Sequence, residues 1–535
     1  MQLTGNFWLS TPRPSAIRNS PGLFNTAVAL AITLLLGACS SIPTNFERTQ
    51  SLAITDTADT RLGQQLQPQL DANPGKSGFF TLRDGEAAFV ARLRVIMAAE
   101  KAIDVQYYIW HDDLTGRTMH NQLLAAADRG VRVRLLLDDM DTAGKDEILR
   151  KIDAHPNVEI RVFNPFANRN SRVGDFIGDT RRINRRMHNK TLTADSLVTI
   201  FGGRNIGDEY FAAAQDVGFG DMDALAVGPI ALEVAQQFDL YWNSENSYPI
   251  SAFTFDEPIS DDAVAAFRAD SEAFMAEAKE TEYAEIIRQY NVTLMDELST
   301  LGFVWSDWKL IYDQPSKVTA KKVTAETHLA PKLKKGMDLT QNDLIIVSPY
   351  FVPGEEFTDY LVNLVARGVR VRILTNSLQA NDVSMVHAGY MRYRKDLVSG
   401  GVELYEFRAL QGERQRQSGK SRIGASKASL HAKFFGFDET YLFIGSFNLD
   451  ARSVALNSEL GAYYASPEQA SKLSRSFDND FMKVAYRVQL DENVDLELVT
   501  LQDGSELRLD KEPDTTWWKR FSTGFLRYIV PESQL

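Results

Sequence analysis

The hydrophobic pattern of this chain changes period in a fixed order, and the order occurs twice. An apolar run from Ile103 to Trp110 precedes an amphipathic stretch, Thr118 to Arg129, with helical spacing. Gly130 ends that stretch, and Val131-Arg-Val-Arg-Leu135 then alternates apolar and polar residues with the period of a strand. In the second occurrence the apolar run is Leu344 to Val347, the amphipathic stretch Glu355 to Arg367, and the alternating strand Val369-Arg-Val-Arg-Ile373 after Gly368. The segments Ala127-Asp-Arg-Gly-Val-Arg-Val-Arg-Leu135 and Val365-Ala-Arg-Gly-Val-Arg-Val-Arg-Ile373 are therefore one unit used twice. Strands alternating with helices predict an α/β architecture, with a largely parallel or mixed sheet covered on both faces.

The repeat divides the chain into two halves, residues 85–248 and 338–490. Residues 249–337 read as a connector: Asp261 to Gln289 is a charged helical stretch, and Lys317 to Lys335 is predicted as a lysine-rich surface loop with solvated side chains.

The ends have their own patterns. Arg13 and Arg18 precede an apolar run from Leu23 to Leu36, which leads into Leu36-Gly-Ala-Cys39. The run is shorter than the ~20 residues of a spanning helix, and its order resembles a bacterial lipoprotein signal cleaved before a lipid-modified cysteine. Residues 1–38 are thus predicted as a signal peptide, Cys39 as the lipidation site and 39–84 as a tether. That places the protein in the bacterial envelope, anchored to a membrane with its body outside the cytoplasm. Ser40, where Asp is the alternative, leans towards the outer membrane without deciding it. In the tail, residues 491–535, Trp517 to Val530 mixes aromatic, aliphatic and basic residues. It fits a helix in the membrane interface and a helix docked on the body equally well.

A length of 535 residues implies at least two cores, and 44% apolar content suits globular folding. A net charge of −13 argues against a nucleic-acid binder whose whole surface is basic but leaves room for a local basic site; no nucleic-acid partner is expected, on grounds given below. Cys39 is the one cysteine, which excludes an intrachain disulfide and a multi-cysteine metal site.

Candidate chemistry falls at the same place in each half. The first reads His188-Asn-Lys190-Thr-Leu-Thr-Ala-Asp195 and then Gly202-Gly203-Arg-Asn205. The second reads His431-Ala-Lys433-Phe-Phe-Gly-Phe-Asp438 and then Gly445-Ser446-Phe-Asn448. Both satisfy H-x-K-x4-D-x6-G-(G/S)-x-N without a gap. A lone histidine is most often a packed residue, but two complete copies in a duplicated fold are not explained that way. On an extended segment, side chains two apart share a face, so each lysine projects with its histidine. The small pairs Gly202-Gly203 and Gly445-Ser446 end a strand where a phosphate can approach the backbone, within reach of Asn205 or Asn448.

Set face to face, the halves would surround one phosphodiester with two histidines, two lysines and two asparagines. One neutral imidazole attacks phosphorus while the other, protonated, serves the leaving oxygen. Lysines and asparagines stabilise the charge on the non-bridging oxygens. No metal is called for, because the set has too few clustered carboxylates for a two-metal site. Glu459 and Asp223, near the start of the strand after each motif, are predicted to orient the imidazoles. Asp195 and Asp438 complete the catalytic signature, with a mainly structural role equally open to them because they fall at turns, where Asp is favoured anyway.

These motifs resemble the HKD signatures of the phospholipase D superfamily, over most of the chain from Gly85 to about Leu490. The resemblance implies two α/β halves related by a pseudo-twofold axis, the site at their seam, a covalent phosphohistidine and no cofactor. By it His188 is the nucleophile and His431 the acid and base, an assignment the residues alone leave open. Gly202-Gly-Arg-Asn-Ile-Gly-Asp-Glu-Tyr-Phe211, Trp305-Ser-Asp-Trp308 and Asn381-Asp-Val-Ser-Met-Val-His-Ala-Gly-Tyr390 look like C-type bacterial cardiolipin synthases. That likeness implies phosphatidyl transfer to phosphatidylglycerol from a second phospholipid. The alternatives are a phospholipase D hydrolase and a secreted nuclease, and the predicted anchor and tail disfavour the last. Two basic segments lead into the motifs, Arg169 to Lys190 with seven basic residues and Arg414 to Lys433 with six. They are expected to focus anionic headgroups on the site.

Overall fold

A computed structural model describes residues 42–531, apart from 170–171, 173–174, 176–178, 215–216, 254, 256–257, 410–426 and 503. The lipoprotein-like start with Cys39, and the second basic segment from Arg414 to Arg422, lie outside the described residues. Among the described residues no helix is long and apolar enough to cross a membrane.

Each half is built on a mixed sheet. In the first sheet, of nine strands, Ala102–Tyr107, Arg132–Asp138 and Val158–Phe163 run parallel. The motif strands Thr191–Ala194 and Val198–Gly202, then Asp223–Val227, continue antiparallel from Ala102–Tyr107. The second sheet, of ten strands, repeats this arrangement. Asp343–Val347, Arg370–Asn376 and Glu403–Phe407 are parallel. Phe434–Phe437, Tyr441–Gly445 and Leu460–Ala465 continue antiparallel. The repeat unit recognised in the sequence is thus the helix-to-strand step of each half, Leu114–Asp128 into Arg132–Asp138 and Gly354–Ala366 into Arg370–Asn376.

The alternating Val/Arg strands bury their arginines, as a sheet covered on both faces requires: Arg134 and Arg372 are each only 1% exposed. Helices cover the arginine face, so each guanidinium has to be paired. Arg134 donates to both oxygens of Asp104, at 2.7 and 2.8 Å, and to Asp239 at 2.7 Å. Arg372 donates to Asp343 at 3.1 and 2.5 Å and to Ser474 Oγ at 2.7 Å. The neighbouring strand supplies the acid in both halves, and the fork geometry of the guanidinium suits it.

The outlying segments are more structured than their patterns suggest. The tether contributes Ser77–Leu82 to the first sheet, and the connector gives Val304–Ser306 to the first sheet and Trp308–Tyr312 to the second. Chain passage between the sheets therefore takes one residue, Asp307. The tail adds Leu496–Gln502 and Ser505–Leu509 to the second sheet. Within the connector, Asp261–Ala278 and Glu282–Leu301 are helices. The expected lysine-rich loop is corrected in part: Lys317 is fully buried, with Nζ 2.9 Å from Asp313 Oδ2, and Ala330–Leu339 is a helix.

The halves share a core as well as a chain. Phe79, Phe201, Ile230 and Val234 of the first pack with Ile345, Val347, Phe434 and Tyr464 of the second. Phe79 stacks on Tyr464 with centroids 4.3 Å apart. A parallel pair, Val217–Gly220 with Lys427–Leu430, joins one strand from each half directly. The two halves are one folding body around a seam.

Candidate active site

Both H-x-K segments lie in this seam, each tied to the backbone of the other half. His188 N donates to Ser458 O and Ser458 N to Arg186 O, both at 2.8 Å. His431 N donates to Gly220 O at 2.8 Å. The histidines precede the motif strands instead of lying within them, so their orientation comes from the opposite half.

The carboxylates cross over in the same way. His188 Nδ1 lies 2.9 Å from Glu459 Oε2, and His431 Nδ1 lies 2.5 Å from Asp221 Oδ2. The expectation for Glu459 matches this geometry; the expectation for Asp223 is corrected. Asp223 accepts instead from Arg92 Nη2 at 2.9 Å and Arg204 Nη1 at 3.2 Å, and does not reach an imidazole. Asp221, two residues earlier, is the acid at the site.

The small residues are explained by these acids as well. A Cβ on Gly203 would lie 2.2 Å from Asp221 Oδ1, and one on Gly202 2.3 Å from Asp223 Oδ1. The space on the Cβ side of each glycine holds a carboxylate. At the matching position Ser446 Oγ donates to Glu459, which also accepts from Ser453 Oγ at 2.9 Å. Gly203 leaves room for the orienting acid Asp221, and Ser446 bonds the orienting acid Glu459.

The lysines project with their histidines as predicted. Lys190 Nζ donates to His188 O at 2.6 Å, and Lys433 Nζ lies 3.0 Å from His431 Nδ1. Asn205 donates to the hydroxyl of Tyr210 at 3.0 Å. Asn448 Oδ1 is buried with no protein partner among the described residues. Tyr108 stands edge-on to His188 at 5.0 Å, while Tyr210 and Phe219 pack around His431 at 5.2 Å. Tyr210 belongs to the Gly202–Phe211 segment singled out in the sequence, without a role given to it there; Tyr108 and Phe219 carry no motif signal.

Of the two readings of Asp195 and Asp438, as part of the catalytic signature and as structural turn residues, the geometry matches the second. Asp195 accepts from the backbone N–H groups of Glu100, Lys101 and Ala102 at 2.8–3.0 Å. Asp438 accepts from Gln341, Asn342 and Asp343 at 2.7–3.2 Å. Each has φ near +50°, in the turn between the two motif strands, and pins that turn to the start of a parallel strand. They serve the scaffold.

Burial governs the electrostatics. It pushes His188 well below the usual histidine range, helped by Lys190, Lys433 and His431. Its partner Glu459 is raised by burial to about 7, against Lys190. His431 is lowered by burial and Lys433, and Asp221 opposes the shift. For Asp221 burial works upward, but His431 and Lys433 outweigh it and hold the carboxyl low. Burial also brings Lys190 down to about 7 and Lys433 to about 8. Each imidazole thus feels the lysines of both halves.

One group among the described residues has ligand atoms close enough for a metal ion: His111, Asp113 and Glu209, within 4.8 Å of one another. Asp113 already accepts from Gly116 N and Asp208 N, and none of the three belongs to the histidine–lysine set.

Comparison with known proteins agrees with this geometry. A family model described as "Cardiolipin synthase, PLD-like domain" matches twice, at residues 93–242 and 333–481. The chain is 41% identical over 467 residues to cardiolipin synthase C of Escherichia coli K12, covering 86% of this chain and 96% of that one. It is 30% identical to an uncharacterized protein of Helicobacter pylori strain 26695, covering 90% and 94%. Among solved structures, phosphatidylserine synthase of Haemophilus influenzae Rd KW20 superposes with TM-score 0.54 at 14% identity, over 86% of this chain and 96% of that one, a likeness of fold. With two matched domains whose HKD segments meet in a single seam, the chain belongs to the phospholipase D superfamily, in its cardiolipin synthase, PLD-like branch.

Proposed function

We propose that this enzyme is a phosphatidyltransferase that makes cardiolipin, carrying a phosphatidyl group from one phospholipid to phosphatidylglycerol through a phosphohistidine on His188. The observation that carries the chemistry is the pair of buried imidazoles, each with Nδ1 on a carboxylate, and with Lys433 Nζ 3.2 Å from His431 Nε2. The substrate class is supported by the 41% identity to a cardiolipin synthase.

In the first step His188 Nε2 attacks phosphorus. The P–N bond forms, the ester P–O bond to the donor headgroup breaks, and the leaving oxygen takes a proton from His431. In the second step neutral His431 removes a proton from the hydroxyl of phosphatidylglycerol. That oxygen bonds to phosphorus as the P–N bond breaks, which regenerates both histidines. Lys190, Lys433 and Asn448 stabilise the non-bridging oxygens, with Asn205 positioned through Tyr210. The asymmetry of the two pairs favours these roles. His188 is held towards its neutral, nucleophilic form beside a Glu459 carboxyl raised by burial, while His431 faces an Asp221 carboxyl held low, which supports its imidazolium.

The lipoprotein-type anchor at Cys39 belongs to the same reading, holding the body at the membrane that supplies its substrates. Cys39→Ser is expected to release the anchor and leave turnover of detergent-dispersed lipid intact. The reaction is tested with mixed vesicles containing phosphatidylglycerol and mass spectrometry of the products. Cardiolipin in excess of phosphatidic acid is the expected result. Phosphatidic acid alone, whatever lipid alcohol is supplied, makes the enzyme a hydrolase.

A further inference from the structure

The tail helix Trp517–Ile529 turns its apolar face away from the protein. Trp517, Trp518, Phe521, Phe525, Tyr528 and Ile529 are each more than half exposed, and Tyr528 is 81% exposed. At 100° per residue they fall within an arc of about 120°. Thr523, the helix's buried residue, lies opposite that arc. A soluble monomer seldom leaves so large a continuous apolar face wet.

The other side of the helix is docked. Arg392 donates to Arg527 O at 2.7 Å and to Val530 O at 2.8 Å. Val530 packs into a small cluster with Tyr350, Val352, Val383 and Val386. Tyr350 is also the residue whose hydroxyl donates to Asp382 at 2.8 Å, and Asp382 is near enough to Lys433 to favour its charge. One cluster therefore joins the end of the tail helix to the rim of the active site. Met385, on the neighbouring helix Ser384–Tyr390, is 47% exposed and extends the apolar surface.

Charge completes the picture. On a protein of net charge −13, the helix carries Lys519, Arg520 and Arg527 and no acid. These residues flank the aromatic arc, with their stems half-buried. Rings at headgroup depth with cations alongside are the composition of an anionic lipid interface.

We propose that Trp517–Ile529 is an interfacial docking helix: it lies in the headgroup layer of an anionic phospholipid bilayer and sets the mouth of the active site against the lipid surface. This rests on the reading of the site as a phospholipid enzyme. It requires a second attachment to the membrane, independent of Cys39, which orients the body as well as tethering it.

The test uses the full chain carrying Cys39→Ser, so that no acyl anchor contributes. It is compared with the same chain carrying Trp518→Asp and Phe525→Asp. Vesicles of phosphatidylcholine alone and of phosphatidylcholine with phosphatidylglycerol are sedimented with each protein. Turnover is taken as the ratio of vesicle to detergent-dispersed lipid. The charged tail is expected to reduce binding to the phosphatidylglycerol vesicles at least tenfold and to lower the turnover ratio by a similar factor. Acyl-brominated lipids are expected to quench the tail tryptophans of the parent protein. If the aspartate variant loses its circular dichroism, Phe525→Ser with Tyr528→Ser provides the comparison. Equal vesicle binding by parent and variant, or no quenching, overturns the proposal. A parent dimer that the variant dissociates, with vesicle binding unchanged, overturns it in favour of an interface between copies. Absence of turnover on every lipid would fall on the proposed reaction, while binding and quenching still decide the dock.

Discussion

At the residue scale, the catalytic groups are set by partners from the opposite half. Neutral His188 and protonated His431 together define the reactive free enzyme. Because His188 is pushed well below its usual range, it loses the nucleophilic form only at low pH. His431 is also lowered, so its proton is lost below 6.5 as pH rises. The bell in kcat/KM is therefore expected to have both limbs below 6.5, while kcat, measured with the phosphodiester's negative charge in place, should extend to higher pH. A kcat/KM optimum at or above pH 7.5 would contradict this. Asp221→Asn removes the group that supports the imidazolium, so the alkaline limb should move further down, with activity reduced on the order of a hundredfold or more. Asp223→Ala should behave differently. It leaves Arg92 and Arg204 buried without their acid, which costs about 3 kcal/mol of stability or more by denaturant unfolding. The sequence showed Asp221 and Asp223 side by side but gave no means of choosing. Sheet register does: Gly202 pairs with Asp223 and Gly445 with Gly461, so Asp221 corresponds to Glu459. The intervening loops differ in length, from Asn205 to Asp221 and from Asn448 to Glu459, and that conceals the match in a linear reading.

At the scale of elements, the repeated helix-to-strand unit was readable because its period changes are sharp and its glycines end helices. The partners of the buried arginines were not, since a covered sheet face does not say which acid meets each guanidinium. Arg372→Ala tests this. It strands Asp343 in the interior beside Ser474, and should destabilise the enzyme by about 3–5 kcal/mol in denaturant or thermal unfolding. A change within 0.5 kcal/mol would mean that the strand face is hydrated in solution. Asp195 and Asp438 belong to the same scale: each replaces missing backbone partners at a strand start and closes a turn held at positive φ. Their place in the signature is three-dimensional scaffolding, which a one-dimensional motif cannot separate from chemistry.

At the scale of the whole molecule, the open question for the reaction is which hydroxyl meets the phosphohistidine. Water is present at tens of molar, so transfer requires a lipid alcohol held in line and a site partly closed to solvent. The basic segment before the first motif was expected to supply that hold, but most of its charge is spent inside the protein. Arg169 pairs with Asp139 and Asp146, Arg172 with Asp139, Arg182 with Asp179, and Arg186 with Asp138 at 2.9 Å. Arg181 and Arg185 have no such pairing among the described residues. Arg185 donates to Lys317 O at 2.8 Å, and besides burial the charge acting on it is that of Arg181. With Thr180, Asn184 and Leu456 they line a cleft of about 310 Å³. Its lining is close in sequence to the reacting pair: Arg185 is three residues before His188 and Leu456 three before Glu459. Two adjacent guanidiniums without a carboxylate suit the phosphate of the acceptor lipid, whose glycerol hydroxyl would then reach inward. Arg181→Glu with Arg185→Glu is therefore expected to lower the ratio of cardiolipin to phosphatidic acid at least tenfold, before consumption of the donor lipid falls to the same extent. Arg186→Glu should instead unfold the enzyme, because Asp138 already occupies its place in the core. If the double variant keeps the parent ratio, the acceptor is held elsewhere, and the apolar rim beside Tyr350 becomes the surface to examine.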